Sequence, residues 1–499
     1  MKKDKYKLNF NRINLSLPQK STLRTRVVII GSGLAGISAA VTLAERGFSV
    51  ELFEKNDYIL GKVGAWNHKF DNGFETVIEH GYHGFFKQYY NLRNFLDKTG
   101  SSKFLIPLED YFIKNSSGKN FSFKGVSPIP IINMFSLLKK NKLDLKKIFL
   151  NPRHKSLLKF LGYNKNTYFK KYDNTSLLSF AQKMKMDIEL KDVFTTFGRA
   201  FFSKPEKVSL AELFRASHYY FTGNNKGILY DVMSDNYQES LIKPTLKYLK
   251  DLEIKLHLNY QVEKIIKKID KFYIKEQEYD YLIIASEITG TKTLLHNFTS
   301  CDNDEKALKD LQYKLDNLPS APPYAVLRIW IDKDIDKSNP FCIMPNNYKF
   351  LDLVAAYHRF DKSSIKWHKE NNGYIFELHA YAIDDRLTED EIQALMIKDF
   401  ESIFPEIVGF KIIEKYFQLR NNFTAFETNC HKFRPENETL INNMFFAGDW
   451  VDSPLPAMLM EGAFTSGILA ANHILTKEKL QEEQIFTVPL KGIFNTIIK

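Results

Sequence analysis

The 499-residue sequence predicts an α/β fold, a doubly wound domain into which a second domain of mixed sheet and helices is inserted. Three features of the chain point there. A strand–helix–strand unit stands at 26–55, short strands return at 254–285, and a last strand and helix close the fold at 444–475. Between these returns lie a mostly helical stretch, 127–224, and one that alternates strands with helices, 291–430. The expected division is a basic arm 1–22, first-domain segments 23–104, 225–290 and 431–480, a substrate- or membrane-facing region 105–224, a substrate domain 291–430 and a C-terminal tail 481–499.

Each element has its own reason. The unbroken apolar run Val27–Ile30 suits a strand buried on both faces. Leu34–Arg46, rich in Ala and Leu, reads as a helix stopped by Gly47, and Val50–Phe53 is a second buried strand ending at Glu54. Residues 105–125 alternate around the turn Asn115–Gly118 and predict a hairpin. Gly227–Asp251 reads as a loop and a long helix. Ile254–Leu258, Val262–Ile269, Phe272–Glu276 and Tyr281–Ala285 read as short strands. Further on, Tyr324–Ile331 and Tyr374–Tyr381 are strands and Glu389–Phe404 a helix. Met444–Leu475 is a strand, a loop with Pro454 and Pro456, and a helix.

Composition narrows the function. Hydrophobic residues make up 44% and charged residues 26%, which excludes a disordered chain. Cys301, Cys342 and Cys430 stand far apart, so neither a disulfide framework nor a zinc ribbon is expected. His80 and His83 have ligand-like spacing without an evident third ligand, so no metal is expected. The net charge of +11 suits an anionic surface, but no nucleic-acid motif accompanies it and no nucleic-acid partner is expected. No run of 18 apolar residues occurs, and the N-terminus has no apolar signal core. The expected place is the cytoplasm, peripheral to the membrane.

Gly31, Gly33 and Gly36 form G-x-G-x-x-G directly after one strand and at the opening of one helix. The first glycine permits the turn, the second lets a pyrophosphate approach the backbone, and the third lets helix and strand pack closely. The helix start, at Leu34 and Ala35, offers free N–H groups and a positive dipole end to phosphates. Glu54, at the end of the second strand, is spaced to meet ribose hydroxyls, with Lys55 beside it. This is a dinucleotide-binding, Rossmann-like unit.

The fingerprint alone does not choose between NAD and FAD. Phe445–Trp450 (FFAGDW) followed by Glu461–Ala471 (EGAFTSGILAA) resembles the closing motif of flavin amine oxidases and carotenoid desaturases. That resemblance implies FAD, with Asp449 at the ribityl–pyrophosphate region and Met458 and Ala463 at the start of the last helix. It also implies a cofactor contact from Val262. One departure stands at Ile59–Gly64, where Leu60 replaces the first of two adjacent glycines and Lys62 occupies the position of a phosphate-contacting basic residue.

The stretch Glu79–Arg93 (EHGYHGFFKQYYNLR) is similar to one in plant-type phytoene and zeta-carotene desaturases, and closer to the isorenieratene synthase-like carotene desaturase/methyltransferases. Phe201–Pro205, Leu210–Leu213, Gly227–Val232, Ala321–Asp332 and Glu377–Asp385 point the same way. The resemblance implies dehydrogenation of a carotene β-ring with migration of one methyl group, giving an aromatic end group. A plain carotenoid desaturase or isomerase, another flavin oxidase of an apolar substrate, or a carotenoid-binding flavoprotein without turnover are the alternatives. The reduced flavin then needs an electron acceptor, a partner the sequence leaves unnamed.

Such chemistry asks for a hydride acceptor and a dry pocket that tolerates a cation. Phe85, Phe86, Phe201, Phe202, Tyr219, Tyr220 and Tyr324 are aromatic candidates for its walls, or for plain core packing. His83 is a candidate proton acceptor, or orients a loop over the flavin. Glu461 is either a base or an acidic cap on the last helix. Arg199 and His379 lie in family-like stretches without an assigned role. Residues 126–150 join an apolar stretch to Lys139, Lys140, Lys142, Lys146 and Lys147, as in an interfacial helix on an anionic membrane.

Overall fold

The computed structural model describes residues 5–141, 152–186, 191, 194, 195, 198, 199 and 201–495. Its centre is a five-stranded sheet in which every neighbouring pair is parallel, ordered Lys255–His257, Ser49–Phe53, Arg26–Ile30, Tyr281–Ile284, Met444–Phe446. Numbered along the chain these strands run 3-2-1-4-5, the order of a doubly wound dinucleotide fold. Val27 and Ile29 pack to one face against the fingerprint helix Leu34–Glu45 and the C-terminal helix Leu459–Lys477. Val28 and Ile30 pack to the other, against a small four-stranded sheet and the helices Ile288–His296 and Glu305–Asp316. The two nucleotide-side helices approach closely because Gly467 carries no side chain: a Cβ there would lie 2.0 Å from the Ala35 carbonyl oxygen.

A seven-stranded mixed sheet forms the second body. Its order is Ile412–Arg420, Tyr324–Ile331, Tyr374–Ala380, Leu353–Ala356, Cys342–Asn346, Phe112–Asn115, Phe121–Ser122. Only the Cys342–Asn346/Phe112–Asn115 pair is parallel. A helical region that includes Ile132–Lys140, Lys165–Tyr172, Leu177–Met184 and Leu210–Ser217 completes the molecule. Among the described residues no helix is long and apolar enough to cross a membrane.

Several expectations need correction. The hairpin turns at Asn115–Gly118 as read, but only Phe112–Asn115 and Phe121–Ser122 pair across it. Leu105–Pro107 pairs instead with Tyr230–Met233, inside what was read as a loop. Tyr230–Met233 is buried at every position and holds the middle of a three-stranded sheet, so tertiary contacts decide its state. The strand expected from Val262 starts at Ile265. The arm and tail are tied to the body: Leu8–Asn9 pairs antiparallel with Phe486–Thr487, and the Asn11 amide donates to Glu482 and to the Glu483 carbonyl.

Candidate cofactor and active site

All five parallel strands end at one edge, where ligands bind in folds of this class. The three fingerprint glycines behave differently there. Gly31 has φ +104°, and a Cβ would lie 2.8 Å from the Ala285 carbonyl oxygen. At Gly36 a Cβ would lie 1.8 Å from the Gly31 carbonyl oxygen, so that glycine is required by packing. A Cβ on Gly33 would meet nothing within 4 Å. Gly33 also N-caps the helix with no side-chain hydrogen bond, and the first turn, opening with Leu34 and Ala35, holds no acid. An open approach to an uncapped helix start is what a pyrophosphate requires, so the residues present fit a dinucleotide.

Glu54 lies at the same edge. Its Oε2 accepts from the Ser32 backbone and hydroxyl, both at 2.9 Å, and its Oε1 from the Asn56 backbone and amide. The carboxylate therefore fixes the glycine loop. Leu60 sits against this loop, with its N–H donating to the Ser32 carbonyl. It adopts φ +70° although it is not glycine, and its side chain is buried. The departure from adjacent glycines is thus absorbed by a left-handed leucine whose burial offsets the strain. At the following Gly61, which has φ +55°, a Cβ would lie 3.2 Å from the Gly33 Cα.

The Lys62 ammonium lies 4.9 Å over the ring of Phe423. Lys55 is exposed and pairs with Glu287 at 3.3 Å. Val262 is buried in the loop before its strand. Asp449 stands just past Met444–Phe446, half-buried, and accepts from the Thr424 hydroxyl at 2.9 Å. Trp450 next to it donates to the Ser286 carbonyl, which holds Asp449 at the same edge as the glycine loop. Met458 N-caps the C-terminal helix without a side-chain bond, and Ala463 lies half-buried in that helix.

Glu461 is fully buried, and its oxygens accept from the Asn91 backbone at 2.9 Å, the Asn91 amide at 2.7 Å and the Leu92 backbone at 3.0 Å. Glu461 stands in the first turn of its own helix, as an acid favoured by the dipole does, and its carboxylate also caps the start of helix Tyr90–Thr99. Burial raises its pKa to about 7 against these donors.

His83 is half-buried, and its Nδ1 bonds the Gly81 carbonyl at 2.7 Å, so Nδ1 carries the proton and Nε2 the lone pair. Nε2 has no hydrogen-bond partner among the described residues. Burial lowers the pKa to about 4, which keeps the ring neutral near pH 7. On the other side of Gly81 lies His379, whose Cε1 would be 3.1 Å from a Cβ placed there. His80 is buried and bonds the Tyr324 hydroxyl at 3.3 Å. Beneath this loop Arg328 bridges Glu79 at 2.7 Å and Glu377 at 2.6 Å.

Among the aromatic candidates, Phe202 and Tyr324 meet at 4.9 Å between ring centroids. Phe202 also stacks on Phe423 at 3.9 Å and meets Tyr381 at 4.4 Å. Through Phe423 this cluster adjoins Lys62 and the glycine loop. Phe85, Phe201 and Tyr219 are instead fully buried core residues, and Phe86 and Tyr220 pack together behind the His83 loop. Sequence reasoning missed Phe423, Tyr381 and Glu377. For the last two a signal existed: Glu377, His379 and Tyr381 alternate, as residues on one face of a strand do. Arg199 pairs with buried Asp352 at 2.8 Å, beside this strand end.

Residues 34–475 match the family described as flavin containing amine oxidoreductase. The chain is 28% identical to a carotenoid phi-ring synthase of Streptomyces griseus, covering 93% of this chain and 90% of that one. It is 25% identical to a carotenoid phi-ring synthase of Chlorobaculum tepidum, covering 96% and 93%. A putrescine oxidase variant of solved structure shares the fold with a TM-score of 0.66 at 13% identity, covering 91% of this chain and all of that one (100%).

Proposed function

The chain belongs to the flavin containing amine oxidoreductases and is an FAD-dependent oxidoreductase, and from that premise we propose that it acts on a membrane-borne carotenoid, dehydrogenating a β-ring with migration of one methyl group to give an aromatic end group. The observation that carries the reading is the aromatic cluster Phe202, Tyr324, Tyr381 and Phe423, which adjoins Lys62 beside the glycine loop through Phe423. The similarity to carotenoid phi-ring synthases supports the substrate class.

Gly31, Gly33, Gly36, Glu54, Asp449 and the helix starts at Leu34 and Met458 are the residues that would hold FAD. When bound, FAD supplies a hydride acceptor. The ring faces of Phe202, Tyr324 and Phe423 exclude water and stabilise positive charge on the substrate ring. His83 offers the Nε2 lone pair to a ring proton, and its neutral state is maintained by burial.

Access from a bilayer is part of the same proposal. Ile129, Ile132 and Phe135 are about half exposed (49%, 52% and 50%) around the short helix Ile132–Lys140, which ends in Lys139 and Lys140. That pairing of apolar tips with basic residues suits an interfacial helix on anionic lipid. Lys142, Lys146 and Lys147 lie outside the described residues.

Expression in a β-carotene-producing host tests the chemistry. The expected product has an aromatic end group, recognised by its mass and absorption, and His83→Gln should lower its yield about 10²–10⁴-fold with FAD retained. A product with a lengthened polyene and intact geminal methyls would refute methyl migration. Unaltered β-carotene from an FAD-loaded protein would refute the substrate.

A further inference from the structure

The proposed reaction needs more than one proton acceptor. Turning a cyclohexene ring with a geminal dimethyl carbon into a trimethylbenzene removes four hydrogens, which leave as two hydrides and two protons. His83 accounts for one proton. A second path is built into the strand Tyr374–Ala380 and the residue that follows it.

Glu377, His379 and Tyr381 alternate along this strand and so point to one side of the sheet. They form a continuous hydrogen-bonded chain. His379 Nε2 lies 2.8 Å from Glu377 Oε1, and His379 Nδ1 lies 3.0 Å from the Tyr381 hydroxyl. The protonation pattern follows from the partners. Glu377 also accepts from the Tyr82 backbone at 2.7 Å and from Arg328 at 2.6 Å, so it is an ionised acceptor. Although its burial opposes the charge, Arg328 and His379 hold its carboxyl down to about 2. Facing that carboxylate, His379 carries its proton on Nε2, and its bare Nδ1 accepts from the Tyr381 hydroxyl. The Tyr381 ring meets Phe202 at 4.4 Å, inside the aromatic cluster of the proposed pocket. An ion-paired carboxylate, an imidazole and a hydroxyl are thus arranged in the order that activates a hydroxyl toward a bound substrate.

Resting on the reaction proposed above, we propose that Glu377, His379 and Tyr381 form a proton relay in which Tyr381 is a catalytic residue and His379 and Glu377 are positioning residues. Next to a ring carbon left cationic by hydride loss, a C–H bond breaks and its electron pair becomes a ring double bond. The released proton goes to the Tyr381 oxygen as the hydroxyl proton passes to His379 Nδ1. The imidazolium so formed is stabilised by the Glu377 carboxylate. Bound FAD would supply the acceptor for one hydride at a time, with an external two-electron acceptor reoxidising it between the two dehydrogenations, so the four hydrogens and four electrons lost by the ring are accounted for.

Tyr381→Phe and His379→Gln separate this role from a structural one. Phenylalanine keeps the ring against Phe202 and removes only the hydroxyl. Glutamine keeps a donor for Glu377 but offers no basic nitrogen to take the Tyr381 proton. With β-carotene in liposomes, each holoenzyme variant should lose about 10²–10⁴-fold in kcat with KM and flavin content unchanged. The solvent isotope effect of the parent should vanish in both, and the double variant should be no slower than either single one, because both changes interrupt one path. Parental kcat in Tyr381→Phe, or losses that multiply in the double variant, overturn the relay while leaving the proposed reaction standing. A parent that holds FAD and leaves β-carotene unchanged overturns both.

Discussion

Gly33 and Gly36 differ by three positions and should fail for opposite reasons when substituted. A Cβ at Gly36 would lie 1.8 Å from the Gly31 carbonyl oxygen, roughly half of a normal contact of about 3.5 Å. The obstacle is backbone, so helix and strand must part, at a cost of about 1–3 kcal/mol for Gly36→Ala. At Gly33 a Cβ meets nothing within 4 Å, and the backbone at φ −65° and ψ 177° suits any residue. Gly33→Val should therefore leave apoprotein stability within about 0.5 kcal/mol of the parent. The same side chain fills the approach to the helix start, and overpacking of about 1–3 kcal/mol there lowers FAD affinity about five- to a hundredfold or more. Thermal melts of the apoproteins and titration with FAD, followed by flavin fluorescence, read the two effects apart. A Gly33→Val protein that binds FAD like the parent would refute the reading of Gly33 as the pyrophosphate approach.

Three further outcomes are expected. Arg328→Met leaves Glu79 and Glu377 facing each other without their shared cation, and should destabilise the fold by about 3–5 kcal/mol in urea titrations. Glu461→Gln keeps one acceptor but turns an amide toward the Asn91 and Leu92 donors, costing about 1–3 kcal/mol in a thermal melt while the kcat of the folded fraction stays parental; a large loss of kcat at unchanged stability would restore Glu461 as a base. His83, His218 and His431 have pKa values lowered by burial to about 4, from 6.5. Between those values the unfolded chain binds more protons, so stability is complete above about pH 6.5 and declines as pH falls toward 4. His218→Gln, which can still donate to the Pro489 carbonyl, should flatten that decline in denaturant midpoints measured across the window.

Where a local rule suffices, the sequence is legible. The parallel strands show as apolar runs because both faces are covered, and the glycine spacing is dictated by one turn and one helix start. Illegible elements depend on partners far along the chain. Tyr230–Met233 carries an acidic residue in a fully buried strand, which argues against a strand until Arg93 is found 2.5 Å from Asp231. Arg328 and Glu377 likewise lie in buried strands that no local pattern would fill with charge, and Glu79 is itself buried at the end of a half-exposed one. Each is tolerated because the others neutralise it. Glu461 was placed at the correct helix start, yet its carboxylate turns to helix Tyr90–Thr99, whose first amides need an acceptor.

The same principle governs the histidines. Residue type and family stretch single out His80, His83 and His379 alike, and their roles diverge only through the atom each nitrogen faces. His80 meets a tyrosine hydroxyl, and His83 meets a carbonyl that frees its other nitrogen. His379 meets a carboxylate on one side and a hydroxyl on the other. A carbonyl partner leaves a lone pair available to a substrate, whereas a carboxylate partner fixes the tautomer and turns the opposite lone pair to the next group in line. The two proton-accepting positions proposed for His83 and His379 thus arise from one imidazole chemistry and two different neighbours, and Gly81 leaves room for the second ring, because a Cβ there would press on His379 at 3.1 Å.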